Sequence, residues 1–268
     1  MNKLREGLPP LPKRMRGRPI NDKGYPIPYF VGYVDGKPDF RAADPEKRDK
    51  CMRFHRCWLC GEPLGRRFAF VVGPVSAVSR VSAEPPSHID CAEFAVRACP
   101  FMLLPKAQRR EANLPEGAND GPGLLLDRNP GVVLMWISET YGLRRATNGV
   151  LMTLHDPLEL RCYTEGRTST PDEVRDSIES GLSVPAQMAF EDHDWSSFTR
   201  DVEAASKLLG VPITIPRPHR PEPPLQPYQR KVIETLAASK EGVVVLPRPS
   251  MVALGAALAL SQQPKEPK

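Results

Sequence analysis

The sequence predicts an α+β protein assembled from several segments, and three observations predict it. Two pairs of ligand-type residues, Cys57-Trp58-Leu59-Cys60 and His88-Ile89-Asp90-Cys91, repeat a two-residue spacing. Runs of β-forming residues alternate with turn dipeptides, while Thr170-Pro171-Asp172-Glu173 has the pattern of a capped helix start. The chain also carries 31 prolines in 268 residues, well above an average usage of roughly 5%. Their clustering divides it into compact pieces and extended connections.

Residues 1–24 read as a basic flexible arm. Lys3, Arg5, Lys13, Arg14, Arg16 and Arg18 fall within the first twenty positions against a single acid, Glu6, in a chain whose net charge is only +5. Pro9, Pro10, Pro12 and Pro19 forbid regular helix, and few apolar side chains are available to bury. Within the arm, Arg16-Gly17-Arg18-Pro19 matches the core of an AT-hook, in which extended arginines enter a narrow, strongly negative minor groove. Lys13, Arg14, Arg16 and Arg18 are therefore the candidate nucleic-acid contacts. The four-residue motif is short, and the same residues suit a solvated tail first and non-specific phosphate binding second.

Residues 25–104 form the second segment. Tyr29 to Val34, then Asp35-Gly36, then Lys37 to Arg41 predict a β-hairpin, because Asp-Gly favours the turn that joins two twisted strands. A short charged helix is expected over 41–56, leading into Cys57-Trp58-Leu59-Cys60-Gly61. Two thiolates so spaced can grip one ion from a tight knuckle, and glycine suits a backbone that turns sharply under it. The pair needs two more ligands. His88 and Cys91 supply them, with 27 residues between Cys60 and His88, at the start of an expected helix: Pro85 and Pro86 block helix before it, Ser87 can cap it, Asp90 completes a capping box, and Pro100 stops it. First and fourth helical positions share a face. The candidate site is thus a zinc ion held by Cys57, Cys60, His88 and Cys91.

Other readings of these residues are weaker. A redox dithiol of thioredoxin type should open a helix, which Gly61, Pro63 and Gly65 oppose. Three disulfides would need export, and the N-terminus lacks the apolar stretch of a secretory signal, so a cytoplasmic location with reduced thiols is expected. Met251 to Leu260, the longest apolar run, is shorter than the roughly 20 residues of a membrane-spanning helix. Cys99 falls two turns beyond Cys91, roughly 12 Å along a helix, and suits a packed thiol better than a ligand; Cys162 suits a buried strand. Cys51 and His55 are possible substitutes as ligands.

Four protein ligands close a zinc site, which argues for structure over catalysis. A knuckle, a hairpin containing Arg67 to Val72, and a helix carrying the second pair in its first turn is a treble-clef-like arrangement. HNH-type nucleases share that frame but need a catalytic histidine in the hairpin, and His55, His155, His193 and His219 all lie outside it.

Residues 105–130, rich in Gly, Asn and Pro, are expected to form a linker. Over 131–210 a second α+β domain is expected, with strands at Val132 to Tyr141, Gly149 to His155 and Leu158 to Tyr163 in one small antiparallel sheet. Helices should follow from Thr170 to a stop at Gly181 and from Trp195 to Leu209. Six prolines over 215–227 make 211–227 a semi-rigid spacer. A helix-strand-helix module is expected over 228–262, then a charged tail, 263–268.

The segments Cys57 to Gly65, Glu84 to Ala95 and Cys99-Pro100-Phe101 resemble proteins encoded by bacteria and their phages. The resemblance extends over about residues 24–210 and implies a phage or mobile-element setting, with no activity attached. Leu225 to Glu234 and Val243 to Arg248 resemble the opening of helicase- or terminase-type ATPases, but Pro249-Ser250-Met251 stands where the phosphate-loop lysine and hydroxyl should be. The function expected is that of a non-enzymatic, zinc-stabilised nucleic-acid-associated accessory protein. A protein–protein adaptor docking through 228–262 is the alternative, and an HNH-like nuclease the second.

Overall fold

The computed structural model describes residues 2–104, 107–108, 129, 131–147 and 149–218. The chain divides into two units, Met1–Pro218 and His219–Lys268, and the second lies outside the described residues. So do the expected module at 228–262, the tail, the later part of the spacer and nearly all of the 105–130 linker. No helix among the described residues is long and apolar enough to cross a membrane.

The fold is mixed α and β. Strands β1 (Val31–Val34) and β2 (Lys37–Ala43) form the expected hairpin. Asp35 and Gly36 both have positive φ, 49° and 73°, as a turn matching the strand twist demands. Helix α1 (Pro45–Phe54) follows, with the Asp44 carboxylate accepting from the Lys47 amide and Pro45 in the first turn. It ends at His55, whose left-handed φ of 49° reverses the chain toward the knuckle.

Strand β3 (Phe68–Val72) comes next, then the short helix α2 (Ser76–Ser79), strand β4 (Val81–Ser82), helix α3 (Ile89–Ala98) and the single-turn α4 (Pro100–Leu103). After the linker come β5 (Val133–Ser138), β6 (Tyr141–Ala146), β7 (Gly149–Leu154), β8 (Glu159–Thr164) and β9 (Arg167–Thr168). Three helices finish the unit: α5 (Pro171–Gly181), α6 (Ser183–Glu191) and α7 (Trp195–Leu209).

The strands do not form the single sheet expected over 131–163. They form two, ordered β3-β5-β8-β9 and β4-β7-β6, with every pairing antiparallel. The stretch expected to be one strand from Val132 to Tyr141 breaks after Ser138, and the residues expected to be a turn form β6. Its charged Arg144 and Arg145 lie exposed on an edge strand, where polar residues are tolerated and imitate a turn composition.

Each sheet takes a strand from before the linker and the rest from after it. The 25–104 and 131–210 segments are therefore one fold rather than two domains. Arg48 of α1 reinforces this, donating to the carbonyls of Ala83 and Val150. All six residues of β5 are buried, because both faces of its sheet are covered. Leu134 and Trp136 point into a core with Phe70, Val174, Ile178 and Val202, while Val133, Met135 and Ile137 pack against Ala92 and Val96 of α3. That second face anchors the helix carrying His88 and Cys91.

Helix α5 has the expected capping box, Thr170 with Glu173. It stops at Gly181 without the left-handed glycine cap: Leu182, fully buried, turns the chain directly into α6, which the sequence pattern did not reveal. A Cβ at Gly181 would lie 2.5 Å from Val75 Cγ2, so this glycine serves close packing instead. Helix α7 ends as expected at Gly210, φ 67°. The first part of the expected spacer returns to the core: Val211 is buried, and Ile213 and Ile215 pack beside it.

Candidate metal centre

The knuckle is built locally. The Gly61 amide donates to the Cys57 carbonyl at 2.9 Å and the Cys57 amide to the Glu62 carbonyl at 2.8 Å. Gly61 has φ 86°, and a Cβ there would lie 2.7 Å from the Tyr29 ring, so both conformation and space require glycine.

The second pair is delivered by strand pairing. Ala69 of β3 and Ser87 exchange two backbone hydrogen bonds of 2.8 Å, and the Trp58 amide donates to the Pro86 carbonyl at 3.1 Å. Ser87 is consequently engaged as a strand residue and is not the cap of α3. His88 itself takes the cap position with extended backbone (φ −58°, ψ 147°) and no side-chain cap bond, which puts Cys91 in the first turn. Nor is there a hairpin between the ligand pairs, since β3 pairs with β5 and β4 with β7. Asp90 accepts from the adjacent Cys91 amide rather than closing a capping box.

The ligand atoms of Cys57, Cys60, His88 and Cys91 all lie within 4.8 Å of one another, and all four residues are buried. His88 Nδ1 is 3.3 Å from Cys60 Sγ and 4.0 Å from Cys91 Sγ. Its other nitrogen, Nε2, lies 3.0 Å from the Pro63 carbonyl. A carbonyl only accepts, so Nε2 carries a proton, and Nδ1, which faces the thiols, is the nitrogen that would bind a metal on losing its own. Cys57 Sγ accepts from the backbone amides of Cys60 and His88, each at 3.4 Å. Among the described residues, this is the group arranged to hold a metal ion.

The electrostatics suit a cation. Burial opposes ionisation of Cys57, but hydrogen bonds from Cys60, Cys91 and His88 hold its thiol far below the ordinary range. Burial likewise lowers the basicity of His88, yet its hydrogen bonds to Cys57 and Cys60 outweigh this and push it up to about 10. Cys91 is pushed the opposite way, well above the ordinary thiol range, by its hydrogen bonds to Cys57 and Cys60, so these neighbouring groups share protons that a metal ion would displace.

The remaining thiols stand apart. Cys51 bonds the Cys57 carbonyl at 3.8 Å, and burial followed by the neighbouring Cys57 pushes it up to about 12. Burial raises Cys99 at the end of α3, and raises Cys162 to about 11. His55 stacks on Tyr141 with ring centroids 6.0 Å apart.

The N-terminal segment is no free arm. Leu8, Leu11 and Met15 pack on Cys57, Leu59, Cys60, Cys91 and Phe94, with Met15 only 1% exposed. Met15 belongs to a single 3-10 turn, Lys13–Met15. Arg14 bridges to Asp90 at 3.3 Å and Glu62 at 3.7 Å, one acid beside each ligand pair. Arg18 turns inward, its Nε donating to the Ile27 carbonyl at 2.8 Å and Nη2 to Pro28 at 3.2 Å. Lys13 and Arg16 remain exposed. Groove insertion needs both arginines of Arg16-Gly17-Arg18 extended and available, and Arg18 is held by carbonyls, which counts against the AT-hook reading. Met15 was the legible sign of this packing: one large apolar residue amid basic ones, following Leu8 and Leu11 at spacings of three and four.

No protein-family model, curated protein or solved structure matches the chain.

Proposed function

We propose that the four-residue cluster holds one structural zinc ion. The observation that carries this is the donor set: three sulfurs and one correctly oriented imidazole nitrogen, buried within 4.8 Å of one another. Tetrahedral zinc with bonds of about 2.3 Å to sulfur and about 2.0 Å to nitrogen has ligand–ligand edges of roughly 3.5–3.8 Å. The His88 contacts of 3.3 and 4.0 Å bracket that range. With all four positions filled by protein, the ion would organise the knuckle, the start of α3 and the N-terminal segment rather than activate a substrate. The treble-clef-like description then applies to knuckle and helix, with the Ala69–Ser87 pairing standing where the hairpin was expected.

We infer further that the protein is a nucleic-acid-associated accessory protein, in the phage or mobile-element setting implied by the Cys57 to Gly65 and Glu84 to Ala95 resemblance. A basic segment clamped over a metal site presents fixed cations instead of a floating tail, so less ordering entropy opposes binding.

Elemental analysis of protein purified without chelator should give one zinc per chain, and Cys60→Ser should abolish it. Affinity for nucleic acid should fall steeply with salt, because neutralised phosphates release counterions. Replacing Lys13 and Arg16 together with alanine should lower the slope of that dependence by about two if each contacts a phosphate. Zinc-free protein refutes the first proposal, and absence of binding at low salt the second.

A further inference from the structure

Of the chain's 37 basic and 32 acidic residues, seven and two fall before Val34, a surplus equal to the net charge of +5 on the whole chain. The rest is electrically balanced. This cationic portion meets the hairpin through a ladder of charges and rings. The Arg18 guanidinium lies 5.8 Å from the Tyr29 centroid, and Lys47 Nζ lies 5.8 Å from that ring and 5.6 Å from the ring of Tyr33. Arg18 is also within electrostatic reach of the Tyr33 phenol. Arg5 sits 5.7 Å over Tyr25 in the same portion.

At the far end of the ladder the Tyr33 ring is open, and the pairing of Tyr33 with Pro38 puts Phe40, two residues along β2, on the same face of the hairpin. Among the described residues the exposed aromatic side chains are Tyr33 (52%), Phe40 (43%) and Phe54 (55%), and all three belong to the β1–β2–α1 unit. Tyr29 is different: it rests against Gly61 and acts as the fixed middle rung. Lys47 is itself fixed, donating to the Val31 carbonyl at 2.7 Å and pairing with Asp44 at 3.4 Å. Tyr33 is thereby presented to solvent beside a cation that packing holds in place.

We infer that this ladder is a single-strand nucleic-acid surface, on which unpaired bases stack on Tyr33 and Phe40 while the sugar-phosphate chain follows the cations of the N-terminal segment. The inference rests on the nucleic-acid reading above and narrows its partner. Charge alone would accept a duplex equally well. Exposed rings discriminate, because a duplex has its base faces already stacked and a single strand offers them. Cations held near the rings add attraction both to phosphates and to the π faces of bases.

The test is fluorescence anisotropy of the full-length, zinc-loaded chain against a labelled oligothymidylate and a mixed-sequence duplex of equal length. The single strand should bind at least about tenfold more tightly. Tyr33→Ala should weaken single-strand binding by about tenfold, a typical effect of losing one stacking platform, with duplex binding and zinc content unchanged. Tyr33→Phe should restore it, because the ring and not the hydroxyl does the stacking. Equal or tighter duplex binding, or no effect of Tyr33→Ala on the single strand, overturns the single-strand inference while leaving the broader reading standing. Binding to neither probe overturns both.

Discussion

Glu173 shows how much can rest on one side chain at a helix start. Its carboxylate accepts from the Thr170 amide at 2.8 Å while Arg167 grips it at 3.0 and 2.5 Å. The Arg167 hydrogen bonds first, then the Thr170 amide, hold its pKa down to about 2 from an ordinary 4.5. A depressed acid stabilises the fold above its unfolded pKa and loses that contribution as pH falls through the folded one. Glu173→Gln should therefore lower the melting temperature at pH 7, and the gap to the parent should close between about pH 4.5 and pH 2. The pair is exposed, so the shift should be a few degrees at most; a gap that widens on acidification would show that the carboxylate is not the stabilising form. His88 makes a second point at this scale. Its backbone sits at the helix cap while Nε2 is occupied by Pro63, so one residue turns the chain and aims a ligand atom.

At the level of elements, the N-terminal segment and α3 meet at the Cys/His cluster. Met15 touches the apolar group containing Cys57, Cys60, Cys91 and Phe94. Met15→Ala should destabilise the protein by about 3 kcal/mol, the usual cost of emptying a buried site of that size. It should also speed zinc capture by a colorimetric chelator, because the thiols lose cover. Deleting residues 2–24 should do the same more strongly. If chelator release is unchanged in both variants, the segment does not shield the metal. The packing of Leu8, Leu11 and Met15 on the cluster runs against the expectation that residues 1–24 form a flexible arm.

For the whole described unit, the interleaved sheets predict cooperative behaviour. Strands β3 and β4 lie before the linker, and their partners β5 and β7 lie after it. Fragments 1–104 and 131–218 expressed separately should each fail to give a folded, protease-resistant product, because each leaves buried strand edges unpaired. Covalently joined, the unit should unfold in one calorimetric transition. A folded 25–104 fragment that binds zinc stoichiometrically would contradict this.

The features legible in the sequence are those settled within a few residues. The Asp35-Gly36 turn, the Thr170 capping box, the Gly210 stop and the metal-ligand spacing each follow from backbone geometry or coordination chemistry acting locally. Even the four residues that come together in the Cys/His cluster were identifiable because two short motifs carry their own geometric logic, although they lie far apart in the chain. What the tertiary structure decided is pairing at a distance. Ser87 looks like a helix cap until Ala69 claims its backbone, and β6 looks like a turn because an edge strand need not alternate. Residues 1–24 look unattached because prolines preclude helix, whereas burial of Met15 requires no helix at all, only an apolar surface brought to it by the cluster. Strand partners and burial depend on contacts whose worth is realised only once the rest of the chain is in place, and that is why composition separated the segments on either side of 105–130 although their strands pair with one another.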